Sequence, residues 1–412
     1  VDMSDFDYVF CWLGDTYLLL SIIKLIEDKM NLEHDIREGG VQMLLLVEDS
    51  IRYYSAILPE LYQYVLKQSL DFATEALNAH QATLRQRGRP KIVLARTYEE
   101  AQELFDKYIS NTLGIISDCR MPHGGVKEAD AGFRLLHYVH ECDPFVPRIL
   151  QSNEWVNRER AFAEGLPFVY KNSKTRNREL REMIDAYFGF GDFIFRDPAT
   201  GREVARIKNL KDLQDNIFTL PRESLLYHIS HNNVSRWLCS RALFPVSEFL
   251  KHITWDSLQD IDMHRQIIFD AIVEYRKMKN RGVVAEFQRG RFDRYSNFAR
   301  LGEGSLGGKG RGLAFLDRIV TQHKEFHSLE GARVVIPKTL VLCTDIFDRF
   351  MEDNNLYPIA MSDAPDEEIL KAFLRGRLPE DYKADFYAFL DAVGSPIAVR
   401  SSSLLEDSHY QP

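Results

Sequence analysis

The chain has 412 residues, enough for two to four domains that each bury a core. Hydrophobic residues make up 45% and charged residues 27%, the balance of a soluble globular protein. A formal net charge of −9 argues against a general nucleic-acid or anionic-membrane surface. Five scattered cysteines without a CxxC pair argue against structural zinc and for a reducing, cytoplasmic setting.

The longest apolar run, TYLLLSIIKLI, is interrupted by Lys24 and too short for a bilayer, and no signal peptide precedes it. The chain starts on Val1 and looks abrupt at both ends, so a fragment of a larger protein is expected. Within residues 1–40, YVFCWLGDTYLLLSIIKLIEDKMN reads as strand, polar turn and helix, the same order as FVYKNSKTRNRELREMIDAYFG further on. It is either the tail of a second copy of the fold that follows or a plain amphipathic helix.

Residues 41–190 alternate strands and helices. The predicted strands are VQMLLLV, PKIVLA, LGIISD, PRILQS and PFVY; a long helical stretch from Ile51 to Arg87 follows the first, and helical spacing follows the others. That pattern predicts a parallel sheet covered on both faces. Residues 191–296 open with a hairpin, DFIFRDPATGREVARI, and continue as a mostly helical connecting domain. His228 and His231 in YHISHNNVSRWL are three apart on a predicted helix, and His252 lies further on; with no third ligand they read as structural. From residue 297 a glycine-rich loop enters a helix, VVIPKTLVLCTDIFDRFMEDN reads as strand then helix, and SPIAVRSSSLLEDS as a strand entering a turn.

Ligands of parallel α/β sheets collect outside the carboxyl ends of the strands. Glu48 and Asp49 follow the first strand, Asp118 ends the third, Ser152 the fourth, and Lys171 follows the fifth. One acid at a strand end usually caps a helix or faces solvent; three converging carboxylates repel unless a cation such as Mg²⁺ joins them. Carried by VEDS, SDCRMP, LQSN and VYKN, the stretch from Val41 to about Gly189 resembles the receiver domain of bacterial response regulators. The resemblance implies that Asp118 accepts a phosphoryl group from a histidine kinase or a small phosphodonor. Glu48 and Asp49 would hold Mg²⁺ with Asp118 and the backbone carbonyl of Arg120, Ser152 would report phosphorylation, and Lys171 would bind the phosphoryl oxygens. The sequence departs from the family at Asn172, where proline is usual, in the length of its first helix, and in HGGVKEAD, which expands the loop after Met121.

The second motif, LGEGSLGGKGRGLAF, has six glycines and one lysine in fifteen residues. GEGSLG satisfies GxGxxG, yet SNFARL before it is a poor dinucleotide-fold strand, and Gly310 stands where a P-loop needs Ser or Thr. What the composition offers is a run of unobstructed N–H groups and an ammonium, a nest for phosphate oxygens. With VVIPKTLVLCTDIFDRFM and SPIAVRSSSLLED following in order, the region from about Asn297 to Pro412 resembles the nucleotide-binding start of the phosphoenolpyruvate synthase and pyruvate phosphate dikinase family. The resemblance implies an ATP-grasp-like domain. In it Lys309 and Arg400 contact ATP phosphates, Gly307 and Gly308 let the backbone close on them, and Ser401 and Ser402 lie beside the arginine.

The expected architecture is therefore α/β and multidomain: a possible receiver remnant at 1–40, a doubly wound (βα)5 receiver at 41–190, a connecting domain at 191–296, and the start of an ATP-grasp-like α+β domain at 297–412. The expected function is the regulatory and ATP-binding front part of a phosphoenolpyruvate synthase-like phosphotransferase. The whole enzyme would phosphorylate pyruvate from ATP through a phosphohistidine, with Mg²⁺ as cofactor. None of the twelve histidines sits in the family's histidine motif, so this polypeptide is not expected to complete the reaction alone. A scaffold with a degenerate nucleotide site, a phosphotransferase with another acceptor, and a homodimeric state stay open.

Overall fold

Five short apolar runs pair into one parallel sheet: β1 (Met43–Val47), β2 (Lys91–Ala95), β3 (Thr112–Asp118), β4 (Arg148–Ser152) and β5 (Phe168–Tyr170). Their spatial order is β2-β1-β3-β4-β5. This is the doubly wound order in which the chain reverses direction across the sheet between β1 and β3. Both faces are covered, because alternate residues of each strand enter different cores. Met43, Leu45 and Val47 pack with Phe105, Phe133 and Leu136, whereas Leu44 and Leu46 pack with Leu58, Tyr62 and Ile184 from the opposite helices. The computed structural model describes residues 6–255, 259–280, 283–332 and 334–402.

The helix Tyr17–Gly39 belongs to the same core through Leu25 and Leu32. Its Asp28 is fully buried and takes both guanidinium nitrogens of Arg89, the nearer at 2.7 Å, with the Tyr62 hydroxyl at 3.0 Å and the Ile92 N–H at 3.0 Å. Four donors on one carboxylate make its burial tolerable, and its removal would strand Arg89. The strand expected at YVFCWL is absent. Cys11 N–H donates to Ser55 Oγ, the Val9 carbonyl accepts from Tyr54, and Phe10 meets the Tyr54 ring edge-on, so side chains of a helix satisfy this backbone.

Two further expectations change in detail. The helical stretch after β1 is two helices, Ile51–Ala73 and Ala79–Arg87. YHISHNNVSRWL is also two helices, broken where Asn232 takes the left-handed conformation at φ 53°. The hairpin after Gly191 forms as expected, from Phe193–Arg196 and Glu203–Ile207.

By its contacts the chain divides into two compact units: residues up to Ala76 with His80–Ala271, and Leu77–Ala79 with the residues from Ile272 on. The boundaries expected at 40/41, 190/191 and 296/297 are finer than this division, which falls inside the helix Ile261–Asn280. The second unit holds a parallel sheet of β6 (Ala285–Glu286), β7 (Phe298–Leu301) and β8 (Thr339–Leu342) in that order. SNFARL is thus a strand after all, central in its sheet, with Ala299 and Leu301 in a core with Phe287, Phe292, Ile346 and Phe389. No strand forms over residues 395–402, and the following LLEDS lies outside the described residues. Among the described residues no helix is long and apolar enough to cross a membrane.

Candidate functional sites

The parallel direction of β1, β3 and β5 brings Glu48, Asp49, Asp118 and Lys171 to one edge, at the point where the strand order reverses. Carboxylate oxygens of Glu48, Asp49 and Asp118 all lie within 4.8 Å of one another, the one such acid group among the described residues. Lys171 Nζ lies between two of them, 2.5 Å from Glu48 Oε2 and 2.7 Å from Asp118 Oδ2, and over the Tyr53 ring. Glu48 also accepts from Ser50 N–H at 3.1 Å and Gln151 Nε2 at 3.3 Å. Burial first, then the Asp118 charge, push the Glu48 carboxyl up to about 7 against the pull of Lys171. Burial raises Asp118 too, with Lys171 opposing.

Asp49 differs from its neighbours. Its Oδ2 pairs with Lys127 Nζ at 2.6 Å, while its Oδ1 is buried with no hydrogen-bond partner. An unpartnered hard oxygen beside two more carboxylates fits Mg²⁺, which takes one or two carboxylates and completes its octahedron with water and phosphoryl oxygens. Glu48, Asp49 and Asp118 would hold the ion. Bound there, it would neutralise charge on an incoming phosphoryl group.

Glu48 carries a consequence for pH. With a folded value near 7 against 4.5 for a free side chain, the folded state binds the extra proton between those limits. Stability of the metal-free protein therefore falls as pH rises through that window. Glu48→Gln is expected to raise the unfolding temperature at pH 8 and to change it little at pH 5, as followed by thermal unfolding in EDTA.

Ser152 makes its hydrogen bonds away from this cluster. The Ser152 hydroxyl is buried and accepts from Glu154 N–H and Asn157 Nδ2, both at 3.0 Å, rather than meeting Asp118. Arg120, expected to offer its backbone carbonyl, follows two residues beyond the end of β3 and is exposed. One residue that the sequence reading passed over is Gly132, at the start of the helix Ala131–Cys142. Its N–H donates to the Cys119 carbonyl at 2.9 Å, and a Cβ there would lie 2.1 Å from the Asp118 carbonyl oxygen. Only a glycine lets this helix approach the end of β3 so closely.

In the second unit the glycine loop leaves β7 and enters the helix Gly307–Gln322. Its front half is occupied by the protein itself. Glu303 and Gly304 N–H groups donate to the two carboxylate oxygens of Asp345, each at 2.9 Å, and Ser305 N–H to Thr344 Oγ1 at 3.0 Å. Burial works to raise Asp345, but these N–H bonds outweigh it and hold the carboxyl below its usual range. Gly302 and Gly304 are needed for that contact, since a Cβ at either would lie 2.5 Å from Asp345 Oδ1 or 2.6 Å from Thr344 Oγ1.

The rear half faces the V-R-S-S segment. Gly310 N–H donates to Ser402 Oγ at 2.9 Å, Ser402 Oγ donates to the Leu306 carbonyl at 2.9 Å, and Lys309 Nζ lies 3.5 Å from Ser401 Oγ. Gly307 has φ +70°, and a Cβ on it would lie 2.0 Å from the Ser402 carbonyl oxygen. Lys309 and Arg400 are both exposed, on two segments held together through Ser401 and Ser402, and Gly308 lies in the first turn of the helix. The region left for a phosphate is this first turn, not the whole glycine run.

The three histidines do not form a site. His228 is buried, its Nε2 accepts from Arg196 N–H at 3.0 Å, and burial pushes it down to about 4. His231 and His252 bond within their own helical turns, to Tyr227 and Glu248.

Residues 303–412 match the family model of the pyruvate phosphate dikinase AMP/ATP-binding domain. Among solved structures, a response regulator receiver domain protein from Clostridium thermocellum is similar, with 15% identity and a TM-score of 0.25 over 36% of this chain and 94% of that one. No curated protein matches. The chain carries a doubly wound parallel sheet and, over residues 303–412, a stretch similar to the AMP/ATP-binding domain of pyruvate phosphate dikinase.

Proposed function

We propose that this chain is the regulatory and nucleotide-binding front part of a phosphoenolpyruvate synthase-like phosphotransferase, and that its receiver is phosphorylated on Asp118. The boundaries proposed are a receiver at 41–190 whose core the amphipathic helix Tyr17–Gly39 completes, a connecting domain at 191–296, and an ATP-grasp-like portion from 297. The observation that carries the reading is Lys171 between Glu48 and Asp118, with a buried, unpartnered Asp49 oxygen alongside.

An Asp118 oxygen attacks phosphorus of the donor, a histidine kinase or a small acyl phosphate; a P–O bond forms, and the bond to the leaving group breaks. Lys171 exchanges its Asp118 partner for a phosphoryl oxygen, so its charge is used in both states. The Ser152 hydroxyl accepts from Glu154 N–H and Asn157 and keeps its own hydrogen for a phosphoryl oxygen, which couples acceptance to the Trp155-bearing segment after β4. At the nucleotide end, Lys309 and Arg400 neutralise ATP phosphates above the first helical turn. The whole enzyme passes the phosphoryl group through a histidine to pyruvate in the cytoplasm.

Incubation with acetyl phosphate and Mg²⁺ is expected to add one phosphoryl group to the intact mass. An adduct retained in Asp118→Ala, or none in the unmodified protein, would overturn this. A second reading, a signalling scaffold with a degenerate nucleotide region, is favoured by Asp345 filling the front of the glycine loop. Saturable ATP binding that Lys309→Ala removes would exclude it.

A further inference from the structure

The expanded loop after β3 is a hairpin of Met121–His123 and Val126–Glu128. It is seated at several points. His123 Nδ1 lies 2.7 Å from Glu128 with Tyr98 packed on its ring at 4.4 Å, Arg134 reaches Glu128 at 3.0 Å, and Gly124 N–H donates to Glu99 at 2.6 Å. Helices Tyr98–Lys107 and Ala131–Cys142 thus both hold the hairpin. What it delivers is Lys127, whose Nζ lies 2.6 Å from Asp49 Oδ2.

The acid cluster therefore meets two ammonium groups of unlike character. The Lys171 side chain is 3% exposed and shared by two buried carboxylates, so removing it would leave them uncompensated. The Lys127 side chain is 46% exposed and touches Asp49 alone, so it exchanges its partner for water at small cost. A divalent ion on Asp49 and an ammonium on the same carboxylate would sit a few ångströms apart and repel.

We propose that Lys127 is a tethered competitor for the divalent cation: the hairpin neutralises Asp49 in the metal-free protein, and Mg²⁺ must displace that ammonium to bind. The proposal rests on the reading of the cluster as a Mg²⁺-dependent acceptor site. It gives the loop expansion a function, setting the Mg²⁺ concentration at which the receiver becomes competent.

The test is calorimetric titration of the 412-residue chain with MgCl₂ and no phosphodonor. Lys127→Gln is expected to bind Mg²⁺ about tenfold more tightly, the scale of one partly screened charge near a divalent ion. Lys127→Arg, which keeps the charge, is expected to stay within about twofold of the unmodified chain. Asp49→Ala is expected to lose saturable binding. Equal or weaker binding by Lys127→Gln would overturn the role of Lys127 and leave the acceptor site standing. Absence of saturable binding in both the unmodified chain and Lys127→Gln, or binding that survives Asp49→Ala, would overturn the site and the proposal together.

Discussion

Gly132→Ala is expected to lower the unfolding temperature by roughly 6–12 °C, the shift that a loss of ~3 kcal/mol produces in a domain of this size. Its methyl carbon would lie 2.1 Å from the Asp118 carbonyl oxygen and 2.8 Å from Cys119 Cα. Both atoms are main chain, so no side-chain rotation relieves the overlap, and the helix Ala131–Cys142 or the end of β3 must move. Movement of the strand end would draw the Asp118 carboxylate away from Lys171, now at 2.7 Å. The phosphoryl adduct should fall with the stability. Thermal unfolding and intact mass after acetyl phosphate check both parts. A variant within a degree of the unmodified protein would mean that the helix has slack which the packing here denies it.

Gly307→Ala is expected to undock residues 400–402 from the helix Gly307–Gln322. At φ +70° a side chain costs ~1 kcal/mol in backbone strain, and its Cβ would meet the Ser402 carbonyl oxygen at 2.0 Å. The segment 400–402 has no regular secondary structure, so it gives way before the helix does. The bonds from Gly310 N–H to Ser402 Oγ and from Ser402 Oγ to Leu306 would then be lost. Hydrogen exchange at the Gly310 amide is expected to rise by at least tenfold, about the worth of one hydrogen bond. ATP affinity should drop in parallel, because Arg400 leaves with the segment. Unchanged protection at Gly310 would show that the serines do not hold this junction.

These residues also mark what a sequence can and cannot disclose. The acceptor edge was legible because parallel topology alone converts strand order into proximity: Glu48, Asp118 and Lys171 needed no contact information to be grouped. Lys127 and Gly132 were not, since one depends on how an insertion folds back and the other on the distance between a helix and a strand end. The clamp of Asp28 on Arg89 joins positions 61 apart with no local pattern to announce it. Phe298–Leu301 looked weak as a strand because it is short and includes Arg300, yet β6 and β8 flank it on both sides. The glycine run misled in a different way. Glycine is read as room for a ligand, but Gly302 and Gly304 make room for Asp345 and Thr344 of the same chain. YVFCWL had the composition of a strand and no neighbour to pair with.

The central claim is that Asp118 is the group that receives phosphate. The direct measurement is to treat the unmodified chain with acetyl phosphate and Mg²⁺, reduce the acyl phosphate with borohydride, and locate the reduced side chain by peptide mass spectrometry. Reduction confined to position 118 is the expected result; reduction at Glu48 or Asp49, or no reduced residue at all, would contradict it.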